Sequence, residues 1–280
     1  MTLPFLIVTG AGGIGLAVCR RLGTGHHILL ADYSASALSN AATTLKSEGH
    51  TIITQEVDIS SPASISSLVS TAQTLCDTTA SRVASVVHTA AVSPVQAPPS
   101  QILNVSLFGT AQLLDAFLPF ANPGMSFVVV ASIAAALLPP LSPSLAAHMM
   151  LAPTEKLLEH PELDVETLGM STYGVAKRGG QLRVQAVARR YGEKGARVNT
   201  VSPGVISTPM GLAELESEGG ASVQKLIDES ALRRLGSPAD VANVVAFLCS
   251  GEAGFVTGAD FQVDGGAVSA VAVQAAQAKK

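Results

Sequence analysis

The sequence predicts an α/β fold, a single doubly wound parallel sheet, on three observations. Short apolar runs alternate with segments of helical periodicity, the order that builds a parallel sheet with helices on both faces. The first run, Leu3 to Val8, leads into Thr9-Gly10-Ala11-Gly12-Gly13-Ile14-Gly15, where glycines 10, 12 and 15 fit G-x-G-x-x-G between a strand and a helix. The second run, His27 to Ala31, ends in Asp32, 17 residues past Gly15. That is near the ~20-residue offset at which an acid reaches a ribose hydroxyl.

Taken in order, each element has its own signal. Ile14, Ala17, Val18, Arg21 and Leu22 follow the glycines at helical spacing. Ala35 to Lys46 reads as the next crossover helix and Thr51 to Val57 as a third strand, ending at Asp58-Ile59. Ser60 or Ser61 can cap a helix that starts at Pro62 and shows an apolar face of Ile65, Leu68, Val69, Ala72 and Leu75. Val83 to Val87 is the fourth strand, followed by His88, which is expected to bond the backbone at the strand end, since no metal-ligand partner stands near it. Gln101 to Leu118 is a long apolar helix containing Asn104 and Ser106. Phe127 to Ala131 is a fifth strand that delivers Ser132 to the carboxyl edge, the edge where ligands bind in such sheets. Tyr173 to Tyr191 is a helix, Arg197 to Val201 a sixth strand, Pro238 to Cys249 a helix and Phe261 to Val263 a last strand. No repeat or linker interrupts the alternation, so residues 1–280 are expected to form one domain, with residues 267–280 as a tail of no assigned role.

Composition narrows the function. The 280 residues are 48% hydrophobic and 14% charged, enough to build a large core. A net charge of -4 without a basic block argues against nucleic acid. The apolar run Phe127 to Leu138 contains Ser132 and stops at Pro139-Pro140, too short to cross a bilayer, so no membrane partner is expected. Cys19, Cys76 and Cys249 are far apart and odd in number, which points to neither a disulfide framework nor a metal site. An apolar N-terminus with no charged leader agrees with a cytoplasmic protein.

Chemistry is suggested by Ser171-Thr-Tyr173-Gly-Val-Ala-Lys177. Tyrosine and lysine four residues apart share a helix face, and an ammonium beside a phenol favours the phenolate. Such a pair can hand a proton to a carbonyl oxygen or take one from an alcohol, although the spacing also arises as a solvated surface pair. The glycines let backbone amides and a helix N-terminus approach a pyrophosphate; a glycine-rich turn with nothing bound is the alternative. Asp32 repels a 2′-phosphate, and no Lys or Arg sits in the glycine loop or just after Asp32, so NAD is expected rather than NADP.

Together these residues resemble the short-chain dehydrogenase/reductase family, whose pattern runs here from about Thr9 to Gly266. The resemblance rests on the Thr-Gly glycine loop, Asp32, Asp58, Ser132, the Tyr173/Lys177 pair, Pro203-Gly204 and Val263-Asp264-Gly265-Gly266. It implies a Rossmann domain that interconverts a secondary alcohol and a ketone, in a homo-oligomer, tetramer or dimer. Tyr173 becomes the proton donor/acceptor, Ser132 the holder of the substrate oxygen, and Lys177 the residue that binds the nicotinamide ribose and lowers the tyrosine pKa. Gly10, Gly12, Gly13, Ile14, Gly15, Asp32, Asp58, Ile59, Ala90, Ile206 and Thr208 take cofactor positions. The chain departs from the family in three places. Its glycine loop is one residue shorter, His88-Thr89-Ala90-Ala91 replaces Asn-Asn-Ala-Gly, and Ser106 stands where the catalytic tetrad has asparagine. An NADPH-dependent biosynthetic ketoreductase and a dinucleotide-binding regulator without catalysis are the competing readings.

Between Ser132 and Tyr173 lie 40 residues, far more than the family's usual connection. A structureless loop of that length is unusual in a compact domain. Proline at a first helical position predicts a helix from Pro153 towards His160, and Pro161 to Leu168 a second. Residues 133–172 are therefore expected to form a helical lid, lining a pocket for a bulky apolar substrate with Leu137, Leu138, Leu141, Met149 and Met150.

Overall fold

Alternate residues of the first strand, β1 (Phe5–Thr9), serve opposite cores: Phe5 and Ile7 pack on one side, Leu6 and Val8 on the other. A strand buried on both faces reads as a continuous apolar run, and β1 is buried throughout. β4 (Val83–His88), beside it, is buried except at the half-buried Ala84, and β5 (Ser126–Val130), next in the sheet, is buried throughout. β2 (His27–Asp32), β3 (Thr51–Glu56), β6 (Arg197–Pro203) and β7 (Asp260–Val263) complete one sheet, every pair parallel, in the order β3-β2-β1-β4-β5-β6-β7. The computed structural model describes residues 2–278.

The helices are α1 (Gly13–Leu22), α2 (Ala35–Ser47), α3 (Pro62–Thr79), α4 (Pro99–Phe120), α5 (Pro143–Leu151), α6 (Thr172–Gly192), α7 (Pro209–Glu216), α8 (Gly220–Glu229), α9 (Pro238–Cys249) and α10 (Ala267–Gln277). α1, α2 and α9 bury Val18, Leu38, Leu45, Val241 and Val245 against one face of the sheet. α3, α4 and α6 bury Leu68, Leu114, Phe117, Val184 and Tyr191 against the other. Side-chain caps fix several starts: Ser61 accepts from the Ser64 amide ahead of Pro62, and Ser237 forms a reciprocal capping box with Asp240. α4 is long and apolar enough to cross a membrane, but 61% of its most apolar window is buried inside the protein, as in a core helix. Its turns widen to π-type over Leu103–Gly109, the stretch that carries Ser106.

Two expectations about local structure need correction. The main helix of the insertion starts at Pro143, where Ser142 accepts from the Leu145 amide, and not at Pro153. Thr154–Lys156 and Pro161–Leu163 are single 3-10 turns, and only Val165–Leu168 adds a short helical turn. Both prolines occupy a favourable position, but only Ser142-Pro143 combines that position with a capping hydroxyl and an uninterrupted run of helix formers. The tail also has structure, since Ala267–Gln277 forms α10.

The insertion makes a third apolar cluster. Leu145, Met149, Leu157 and Leu163 pack on Leu103 and Leu107 of α4 and on Val175 and Leu182 of α6. Gly179 permits the approach: a Cβ there would stand 2.5 Å from Leu107 Cδ1 and 3.2 Å from Met149 Sδ. Glycine inside a helix costs about 1 kcal/mol. Burying each of these large side chains returns ~1.5–3 kcal/mol, so packing wins.

Candidate active site

The strand order reverses between β1 and β4, and the loops leaving those strands open a crevice at the carboxyl edge. The cleft there has a volume of about 310 Å³. Its walls bring together residues far apart in the chain: Gly10 to Gly15, Asp32, Ala90, Ser132, Tyr173, Lys177, Ile206 and Thr208. The expected catalytic and cofactor residues therefore meet in one place, apart from three.

The glycine loop is shaped by its neighbours. Gly10 has φ +99°, and a Cβ on it would stand 2.7 Å from the Ala90 amide. Gly12 has nothing within 4 Å of where a Cβ would be, so its backbone faces open space. Asp32 accepts from the Ala11 amide at 2.6 Å and from the Ser34 amide at 2.8 Å, tying the loop to the end of β2. Thr89 bonds the Thr9 carbonyl at 2.9 Å, which joins the β4 exit to the β1 exit.

On the other wall, Ser132 begins a 3-10 turn, and its Oγ accepts from the Ala134 amide at 3.1 Å. Its proton is left to donate into the cleft. Lys177 is 6% exposed and donates to the Val130 carbonyl at 3.0 Å. Burial brings its pKa down to about 8. Its Nζ lies 5.7 Å from the centre of the Tyr173 ring. The expectation that this ammonium draws the phenol pKa down needs correction. Burial pushes Tyr173 up, the Glu214 carboxyl adds to the rise, and the Ser132 hydroxyl opposes it. Burial of the phenol outweighs the other influences on it.

Asp58, Ile59 and Ser106 lie outside the cleft. Asp58 accepts from the Ser60 amide and hydroxyl at 2.8 and 2.6 Å, holding the turn into α3. Ile59 is buried against Gly109. Ser106 is 3% exposed, and its Oγ has no partner. Asn104 turns away and bonds the Ser100 carbonyl at 2.9 Å.

The five residues expected to line the substrate pocket do not line this cleft. Met149 is fully buried in the insertion's own cluster, Leu138 packs over Gly174, and Leu137 is 39% exposed. Leu141 and Met150 pack against the same cluster. The insertion needed its apolar residues for its own packing on α4 and α6. The cleft is walled beside Ser132 and Tyr173 by Ala91, Gln96, Met210 and Glu214 among others, none of which carries a motif.

His88 does bond at a strand end, though to side chains. Nδ1 lies 2.7 Å from Thr9 Oγ1 and Nε2 3.1 Å from Thr110 Oγ1. Thr110 gives its proton to the Ser106 carbonyl at 2.9 Å, so Nε2 carries the histidine proton. Burial, with Lys177 nearby, lowers its pKa to about 3 and keeps it neutral. The imidazole thus links β1, β4 and α4.

Comparison with known proteins gives the family. A family profile described as short chain dehydrogenase matches residues 5–146, and one described as enoyl-(acyl carrier protein) reductase matches residues 164–268. The chain is 36% identical over 271 residues to a short-chain dehydrogenase/reductase of Alternaria brassicicola, covering 96% of this chain and 97% of that one. It is 34% identical over 172 residues to a 3-alpha-hydroxysteroid dehydrogenase/carbonyl reductase of Comamonas testosteroni, covering 59% and 65%. A solved short-chain type dehydrogenase/reductase from Mycobacterium ulcerans superposes with a TM-score of 0.74 at 24% identity, over 96% of this chain and 91% of that one. The chain belongs to the short-chain dehydrogenase/reductase family and is an oxidoreductase of that family.

Proposed function

We propose that this family member catalyses reversible, NAD-linked interconversion of a secondary alcohol and a ketone on a small, largely apolar molecule. The observation that carries the reading is that Ser132, Tyr173 and Lys177 share one cleft with the glycine loop and Asp32. The residues fit a dinucleotide. Open space over Gly12 leaves room for a pyrophosphate at the N-terminus of α1, and Asp32 faces the same cleft. Lys177 spends one proton on Val130 and has two for ribose hydroxyls. Ile206 and Thr208 stand where the family holds the carboxamide.

When bound, the nicotinamide supplies the hydride. The protein's share is the proton. Ser132 donates to the substrate oxygen, and Tyr173, kept protonated by burial, gives its phenolic proton as that oxygen becomes an alcohol. Alcohol oxidation needs the phenolate, so oxidation should rise with pH while reduction persists at neutral pH.

The test is steady-state kinetics on a panel of ketones and secondary alcohols with NADH and NADPH. NADH is expected to give the higher kcat/KM. Asp32→Ala should weaken NADH and relieve NADPH, because the carboxylate that repels a 2′-phosphate is gone. A native preference for NADPH would favour the biosynthetic ketoreductase reading, and no turnover with intact cofactor binding would favour a regulator.

A further inference from the structure

The substrate end of the cleft holds a carboxyl that the proton transfer does not require. Glu214, on α7, shares the cleft with Ser132 and Tyr173. Among the described residues it pairs with no lysine, arginine or histidine. Burial pushes its pKa up, and the Ser93 hydroxyl beside it pulls the other way. Ser93 is 0% exposed, and its Oγ has no partner of good geometry. Gln96 lies on the same wall. Its Oε1 accepts from the Ser93 amide at 3.1 Å, which leaves its amide protons free.

A half-buried carboxyl without a cation is costly unless something satisfies it. The hydroxyl beside it, Ser93, is fully buried behind the wall, so on the cleft side the Glu214 carboxyl is open to a partner. A wall group left short of partners is one that a ligand completes. The rest of this end, Ala91, Met210 and Ile206, is apolar.

We propose that Glu214 determines specificity by accepting a hydrogen bond from a substrate hydroxyl close to the reacting carbonyl, so that the preferred substrate is a hydroxylated ketone. The inference rests on the alcohol/ketone reading above and deepens it. A hydroxyl fits better than an ammonium because Lys177 is in the same cleft. A cationic substrate would meet the Lys177 ammonium. The closeness follows from the cleft itself, which Glu214 lines together with Ser132 and Tyr173, the phenol that serves the carbonyl; the carboxyl also opposes ionisation of that phenol.

The experiment compares cyclohexanone with 2-hydroxycyclohexanone and 4-hydroxycyclohexanone, and includes 4-aminocyclohexanone as a cationic control. Reduction by NADH is measured in the native protein, Glu214→Gln and Glu214→Leu, and binding of each ketone to the NADH-loaded protein is measured by saturation-transfer NMR. The native protein is expected to favour a hydroxylated ketone at least tenfold in kcat/KM, equivalent to 1.4 kcal/mol. Glu214→Gln, whose amide oxygen still accepts, should keep part of that preference, and Glu214→Leu should lose it. A native ratio near one, a preference that survives in Glu214→Leu, or selection of the amine over the hydroxyl overturns the proposal. If nothing is reduced but the hydroxylated ketone still binds at least tenfold tighter through Glu214, the alcohol/ketone reading fails and the assignment of Glu214 stands.

Discussion

α6 works on two sides. One side turns Tyr173 and Lys177 into the cleft, and the other packs Val175, Ala176, Gly179 and Leu182 against the insertion and α4. On the cleft side the chemistry is uncomfortable: an ammonium is buried, a phenol is pushed above its ordinary pKa, and among the described residues no cation pairs with Glu214. On the insertion side the contacts are apolar and closely fitted. Stability is made on one side and used on the other, which is expected where function requires strained electrostatics.

The largest expected effect lies on the cleft side. Tyr173→Phe removes the phenolic proton and little volume, so turnover should fall at least ~100-fold. Thermal stability and cofactor binding should hold. Near-native turnover in Tyr173→Phe would refute the proposed proton transfer.

Met149→Ala tests the other side. Met149 is fully buried between α5, α4 and α6. Truncation should cost ~2–5 kcal/mol, read by chemical denaturation, because the cluster cannot close over the hole. Cofactor affinity should change little. If affinity for NADH falls as steeply as stability, the two sides of α6 are not independent, and the comparison breaks.

Lys177→Met should give a smaller change in stability, with the opposite sign. Burial lowers Lys177 from 10.5 to about 8, so between those values the unfolded chain binds more protons than the folded one. Native stability therefore gains from this group as pH rises through that window, and below about pH 8 the buried charge is a liability. Lys177→Met should be more stable at neutral pH, lose that rise, and lose turnover. Unchanged stability at neutral pH, with the rise intact, would show that the ammonium is not desolvated.

The same contrast explains what could be read in the sequence. On the cleft side, backbone geometry forces residue types into fixed spacings. Gly10 and Gly15 must lack side chains, Asp32 must end β2, and Tyr173 and Lys177 must be one turn apart. The sheet and its carboxyl-edge site were legible for that reason. The insertion has no such constraint. Leu137, Leu138, Leu141, Met149 and Met150 show that a side chain is apolar, but not whether it faces a substrate or a neighbouring helix. Glu214, Ser93 and Gln96 were illegible because their placement depends on two separate segments meeting, with no local pattern to announce it.

Ser106 should show the smallest effect, and it marks the boundary between the two regions. It lies on the π-type stretch of α4, at the position that the sequence resemblance matches to the catalytic asparagine. Its carbonyl already accepts from Thr110, while its hydroxyl is buried without a partner. A buried hydroxyl left unpaired costs ~1–3 kcal/mol, and replacing it with a methyl group recovers part of that cost. Lys177 spends its visible hydrogen bond on Val130, and Ser106 does not line the cleft. Ser106→Ala should therefore be slightly more stable than the native protein and keep its dependence of turnover on pH. A proton relay through Ser106 predicts the reverse, because removing the hydroxyl would move the pH profile and slow turnover. Measuring melting temperature and the pH–rate profile on the same variant decides between them. A gain in stability with an unmoved profile assigns Ser106 to packing, whereas a moved profile makes it part of the catalytic side.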